Sequence, residues 1–300
     1  MTPKRRLNIL LADDGSQHAQ AAVELLQDLP LPPKTSILVL RAFSPGQVDW
    51  LPDYEKSLVR SRDQLVGRGF RVETELKLGS AAELILEKAG SKKLDLVVLG
   101  AKGLRSTVSI LLGGVAQQVM EHALCPVLIV RAPYHGFQHI LLAVDGSASS
   151  LNAARYLGKF PLPEGAKVHL IHVLPPSPLP IMMETYAGAW RTVYALAPTP
   201  EEDEVHRREQ ARMGEAVLKR TGGLLRRFGI EPDTHLARGD AATEIMEYAK
   251  TNRIDLIAAG SHGLSNLRGL WLGSVSRKLV HYSDCSVLLV KTAQEADHGN

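Results

Sequence analysis

The chain repeats itself. NILLADDGS at residues 8–16 returns as HILLAVDGS at 139–147, LDLVVLGAKG at 94–103 as IDLIAAGSHG at 254–263, and CPVLIV at 125–130 as CSVLLV at 285–290. A pattern written twice must fold twice, so 300 residues divide into two units, each long enough to bury its own core. The register can be counted. Asp14 pairs with Asp145 and Val39 with Leu170, at an offset of 131; Gly79 pairs with Gly239, Gly100 with Gly260 and Cys125 with Cys285, at an offset of 160. The second copy therefore carries 29 additional residues between its second and third strand patterns. The proline-rich stretch from Pro175 to about Glu204 is the natural place for them.

Within each copy, short apolar runs alternate with helical patterns. Runs at 8–12, 36–43, 95–99 and 127–130 are Leu-rich or β-branched and bounded by turn residues, as strands buried on both faces are. Residues 70–77 alternate more and predict a fifth strand. Helical patterns fall at about 17–28, 52–67, 81–90 and 114–123, and the second copy repeats the series from 140 to 290. Strand–helix alternation implies right-handed crossovers and a parallel sheet with helices on both faces. Each half is thus expected to be a five-stranded α/β sandwich, the halves joined by a short linker around Ala132–Gln138.

The bulk numbers exclude several classes. Hydrophobic content of 45% and charge of 22% are ordinary for a globular chain. A net charge of +3, with no long Lys/Arg block, gives no footprint for nucleic acid. No run approaches the roughly 18 apolar residues of a membrane span. The basic start runs straight into Asp13 and Asp14, so it reads as a strand and not as a signal peptide. The two cysteines, Cys125 and Cys285, stand at matching places and read as buried thiols before a strand. The expected location is the cytoplasm.

In such sheets ligands bind beyond the carboxyl ends of the strands, where strand order reverses. That rule selects the loops after the first and fourth strands of each copy. The fourth loop of the second copy reads Gly260-Ser261-His262-Gly263, then nine residues, then Gly273-Ser274-Val275-Ser276 opening a helix. Glycines let backbone amides approach an anion, and a helix start offers unpaired N–H groups and a positive dipole end. Ser274 and Ser276 would add hydroxyl donors, and the set suits a di- or triphosphate. A plain loop with Ser274 as helix cap is the alternative. Asp145 either caps the following helix, as Ser147 also could, or accepts a hydrogen bond from a ribose hydroxyl or adenine amine.

The strand ending in Asp-Gly-Ser, the later G-x-x-G-x₉-G-(S/T) and the closing Cys-Pro-Val strand together resemble the universal stress protein family, in tandem form. The resemblance covers nearly all of both copies apart from the 175–204 stretch and the tails. It implies an α/β fold of two tandem domains, 1–134 and 137–294, each a five-stranded parallel sheet sandwiched by helices, adenine nucleotide alpha hydrolase-like or Rossmann-like. It implies ATP, ADP or AMP in the cleft and dimers made through the last strand. By motif match, Asp145 would meet the adenosine part, Ala143 and Val144 would lie under the base, and Gly260, Gly263, Gly273, Ser274 and Val275 would wrap the ribose and phosphates. Ser276 would be an extra donor, and His262 a loop residue near the phosphates. No protein metal site is expected; Mg²⁺ could enter through the nucleotide phosphates.

The first copy departs from this pattern. Asp14, Gly100, Gly103 and Gly113 match, but Gly114 replaces the Ser/Thr and Ala116 stands in place of Ser276. A lost hydroxyl to a charged oxygen weakens binding by roughly 1.5–3 kcal/mol. Asp13 replaces Val144 and is expected to bring a carboxylate beside the site, while Lys102, in the place of His262, could compensate as a cation. The first copy thus reads as the weaker site.

The expected function is a nucleotide-binding regulatory protein of the stress response. The alternatives are a slow ATPase, for which only His262 offers an acid/base group, and a structural pseudo-dimer without nucleotide. No P-loop, G-x-G-x-x-G or G-x-S-x-G motif occurs. His169 and His172 should face opposite sides of a strand, and His135 and His139 read as exposed linker residues, so neither pair predicts a metal centre. If the last strands pair within one chain, Val127–Val130 lies near Val287–Val290 as an intramolecular pseudo-dimer, and pairing of whole chains into a homodimer stays open. In the inserted stretch, Tyr186, Trp190 and Tyr194 would share one helix face behind Ile181, Met182 and Met183, either packing on the body or acting as a lid or docking patch.

Overall fold

A computed structural model describes residues 6–91, 93–103, 112–176, 200–263 and 272–291. The aromatic face expected within 177–199 lies outside them. The first half runs β1 (Asn8–Ala12), α1 (Gln17–Asp28), β2 (Ser36–Phe43), a 3₁₀ turn (Pro45–Trp50), α2 (Leu51–Val66), β3 (Arg71–Leu78), α3 (Ala81–Ser91), β4 (Leu96–Gly100), α4 (Gly114–His122) and β5 (Val127–Val130). The second half repeats it as β6 (His139–Ala143), α5 (Ala148–Lys159), β7 (Lys167–Leu174), α6 (Pro200–Arg226), β8 (Asp233–Arg238), α7 (Ala241–Thr251), β9 (Leu256–Gly260), α8 (Ser274–Tyr282) and β10 (Ser286–Val290).

All ten strands form one sheet, in the order β3-β2-β1-β4-β5-β10-β9-β6-β7-β8. Pairing within each half is parallel. The halves join where β5 and β10 pair antiparallel, with Leu128 opposite Leu288. Two last strands that would otherwise present open edges cover each other. The outermost strands β3 and β8 carry charged and partly exposed residues, such as Arg71, Glu73 and Lys77, which blunt the edges that remain.

The apolar runs predict this arrangement because side chains alternate faces. Ile9 and Leu11 enter one core cluster and Leu10 the other. Each cluster continues through both halves: Leu128, Val130, Leu288 and Val290 share one, and Val127, Ile129, Val287 and Leu289 the other. Polar contacts also cross the junction. Tyr156 on α5 donates its hydroxyl to the Asp95 carbonyl at 3.0 Å, and the Arg131 amide donates to Ser286 Oγ at 3.2 Å. Cys125 and Cys285 are both free thiols, and burial pushes them up to about 11 and about 12 respectively. Among the described residues no helix is long and apolar enough to cross a membrane.

Burial sets a pH dependence. It lowers His18, His169 and His281 below the ordinary imidazole value of 6.5 and is the largest cause in each case. Neighbouring charge adds to it, from Arg131 and Lys102 at His18 and from Arg277 and Arg131 at His281. Above pH 6.5 these imidazoles are neutral in both folded and unfolded chains. Below it the unfolded chain takes up protons that the folded chain refuses, so stability falls with pH. The urea midpoint is expected to be level from pH 8 to 7 and to drop between 6.5 and 5. A midpoint that rises over that lower interval contradicts the assignment.

Candidate functional site

Each half brings its first and fourth loops together at the carboxyl ends of the strands. In the second half, β6 ends at Ala143 and the chain turns sharply at Gly146, whose φ of +84° favours glycine. The Ser147 amide donates to Asp145 Oδ1 at 2.9 Å, and Ser147 Oγ caps α5 by accepting from the Ser150 amide. Capping therefore falls to Ser147, and Asp145 is held by its own turn with Oδ2 directed at Gly263. A Cβ built on Gly263 would lie 2.8 Å from that oxygen. The first half repeats the device: Ser16 donates to Asp14 Oδ1 at 3.0 Å, Gly15 has φ of +78°, and a Cβ on Gly103 would lie 2.7 Å from Asp14 Oδ2.

The other glycines answer to packing. A Cβ on Gly260 would stand 2.7 Å from the Ser149 carbonyl carbon, and one on Gly100 would stand 2.7 Å from His18 Cβ. These positions let α5 and α1 lie directly on the strand ends. Gly273 and Gly113 are the N-caps of α8 and α4, and each donates its amide to the loop, to Ser261 O and Ala101 O, both at 2.8 Å. Neither cap offers a side chain to the first-turn amides. A Cβ built on Gly273 would lie 3.6 Å from the Gly263 amide nitrogen, and one on Gly113 3.6 Å from that of Gly103, so each uncapped helix start adjoins the Asp–Gly contact of its half as a backbone cradle suited to an anion.

The loops are not held alike. In the second half the His262 amide donates to Ser149 Oγ at 3.2 Å, and Ser276 Oγ donates to the Gly260 carbonyl at 2.7 Å. In the first half His18 and Ala116 occupy those two places, and the loop is tied by Ser16 Oγ donating to Lys102 O at 3.2 Å. Ser274 is exposed at the start of α8, and Val275 packs against the core. Gly114 is exposed, and a Cβ there would meet nothing within 4 Å. His262 and Lys102 are half-buried at the corresponding loop positions, with His262 Nδ1 at 3.2 Å from Ser261 Oγ.

Several of the residues picked out by the motif make contacts of their own. Ser276 is buried and its one hydroxyl proton is committed to Gly260, so it braces the loop instead of facing an anion. Val144 is buried in one core cluster, and Ala143 packs partly buried against the other. The Asp13 carboxylate is engaged elsewhere, accepting from the Gly15 amide at 2.8 Å and from Ser61 Oγ of α2 at 2.6 Å. The structure also adds a residue that motif matching passed over. Arg41, only 5% exposed, stands in the place of His172, donates to Asp14 O and lies 4.1 Å over the Tyr54 ring. Its signal was the same register count that pairs Asp14 with Asp145. Of the histidines, His135 is exposed, whereas His139 begins β6 with Nδ1 3.4 Å from His169 Nε2. Among the described residues no three His, Cys, Asp or Glu side chains gather as a metal centre.

A twice-built α/β sandwich with a glycine cradle at the switch point of each half defines a class of proteins. The universal stress protein family model matches residues 6–131 and again 136–291, and the chain belongs to that family. A universal stress protein of Bacillus subtilis is 33% identical over 160 residues, covering 52% of this chain and 99% of the relative. One of Mycobacterium bovis is 23% identical over 318 residues, covering 96% of this chain and 98% of its own. The crystal structure of a universal stress protein from Archaeoglobus fulgidus superposes with a TM-score of 0.65 at 19% identity, over 97% of this chain and 99% of that one, and shares the fold.

Proposed function

We propose that this chain is an adenine-nucleotide-binding regulatory protein of the stress response, with units at 1–134 and 137–294 and a stronger site in the second. The observation that carries the reading is the meeting of Asp145 with Gly263 beside the glycine-capped start of α8. Asp145 would accept from the adenosine part. Gly260, Gly263 and Gly273 would bring backbone amides of the loop and the helix start against the phosphates, and Ser274 adds an exposed hydroxyl. His262 lies along the same loop. The braces from Ser149 and Ser276 hold that loop in shape before any ligand arrives, which lowers the cost of binding. Asp14, Gly100, Lys102, Gly103, Gly113 and Gly114 make the weaker cradle. ATP, ADP and AMP all present the required groups, and Mg²⁺ would enter on the phosphates. The intramolecular pairing of halves leaves a homodimer as a further assembly. Two free thiols suit the cytoplasm.

Calorimetric titration with ATP, ADP and AMP tests the reading: one tighter and one weaker event per chain are expected, and no binding of any of the three overturns it. The inequality has its own test. Gly114→Ser places a hydroxyl where open space receives it, and tightening of the weaker event by roughly tenfold is expected. An unchanged weaker event removes Gly114 as the cause.

A further inference from the structure

Arg131 and Lys291 stand at equivalent positions, each directly after the last strand of its half. Their side chains cross the junction in opposite directions. Arg131 Nη2 donates to the Val280 carbonyl at 2.7 Å and to that of His281 at 3.4 Å, in the last turn of α8. Lys291 Nζ donates to the Glu121 carbonyl at 3.1 Å, in the last turn of α4. Lys291 is only 9% exposed, and burial lowers the Arg131 guanidinium from its ordinary value. Buried cations persist where their donors find acceptors. The carbonyls of a last helical turn lack intrahelical partners and form the negative end of the helix dipole, so each cation meets both needs.

We infer that Arg131 and Lys291 are positioning residues, each acting from one half on the anion-facing helix of the other. What the helices face rests on the nucleotide reading above; the crossed contacts stand without it. α4 and α8 are nine residues each, about 13 Å long. Each begins at a glycine-capped cradle and ends on the opposite half's cation. From Arg131 the contacts continue. The next residue, Ala132, donates its amide to His18 Nδ1, and His18 packs on Gly100 of the first cradle.

The test uses the full chain with Arg131→Met and Lys291→Met, and with Arg131→Lys and Lys291→Arg as charge-retaining controls. Without nucleotide, hydrogen exchange should rise roughly threefold or more in the opposite half's helix: across 272–282 for Arg131→Met and across 112–122 for Lys291→Met. With nucleotide, Arg131→Met should weaken the tighter event roughly threefold or more, and Arg131→Lys should retain it. A merely structural role would raise exchange along β5 and β10 and in both helices alike, and that outcome, or an effect confined to the variant's own half, overturns the inference. Where a Met variant does not fold, Arg131→Gln and Lys291→Gln keep a donor, remove the charge and carry the same crossed expectation. Absence of nucleotide binding in the unaltered chain would defeat the functional reading and leave the exchange pattern to decide the crossed contacts.

Discussion

Gly263→Val is expected to weaken the tighter nucleotide-binding event roughly ten- to a hundredfold while leaving the fold intact. Even a single Cβ at 263 would stand 2.8 Å from Asp145 Oδ2, closer than carbon and oxygen tolerate, and valine adds two methyl groups. The carboxylate cannot swing aside freely, because its other oxygen holds the Ser147 amide at 2.9 Å. The ligand loses either its Asp145 hydrogen bond or its approach to the loop. One hydrogen bond to a charged group is worth about 1.5–3 kcal/mol, so affinity should fall by roughly ten- to a hundredfold. Gly263 sits half-buried in a loop and not under a helix, so the melting temperature should move little. Gly103→Val, with the same crowding against Asp14, should abolish only the weaker event. If Gly103→Val removes the tighter event and Gly263→Val spares it, the order of the two sites is reversed.

The largest loss of stability is expected at the centre of the sheet. Leu128 and Leu288 face each other across the antiparallel pair of β5 and β10, and both have no exposed surface. Truncating either to alanine leaves a cavity that neighbouring strands cannot close, at about 2–5 kcal/mol. The two share one cluster that also contains Ile9, Leu11, Ile140 and Leu142, so loss at the junction is loss in both cores. Leu288→Ala should lower a single unfolding transition as a whole. The double variant should be non-additive by about 0.5 kcal/mol or more, as contacting residues are. Two separate thermal transitions, of which Leu288→Ala moves only the second, would show that the halves are independent units merely tethered.

Much of this architecture was legible because repetition converts one pattern into two checks. A strand such as LVVLG could pass for part of a buried helix, but its partner LIAAG at the same offset, with helical patterns on both sides, leaves the parallel sandwich as the consistent reading. The junction was expected only from the resemblance, which implies pairing through the last strand, and covering two bare strand edges is its physical reason. The geometry of the candidate site was legible where residue type restricts it: glycines that admit close approach, and an aspartate after the first strand. Hydroxyls were harder. Ser274 and Ser276 look equivalent in the motif, yet two residues along a helix is about half a turn, and so one faces the solvent and the other a strand-end carbonyl. Asp13 shows a related limit, since strand alternation sets it opposite Asp14 without saying what receives it. Its place in the chain is beside Asp14, but its side chain belongs to the opposite sheet face, where Ser61 and the Gly15 amide receive it. Arg131 and Lys291 were invisible because their contacts join one half's strand end to the other half's helix end, a relation that no spacing within one copy encodes.

The central claim is that the second cradle holds an adenine nucleotide more firmly than the first. The most direct measurement is the small molecule released when the purified full-length protein is denatured, identified and quantified by chromatography with mass detection. The account predicts an adenine nucleotide at about one per chain, lost in Gly263→Val and kept in Gly103→Val. Two per chain would contradict the inequality of the halves. No nucleotide released, with none bound when ATP is added back, would contradict the site itself.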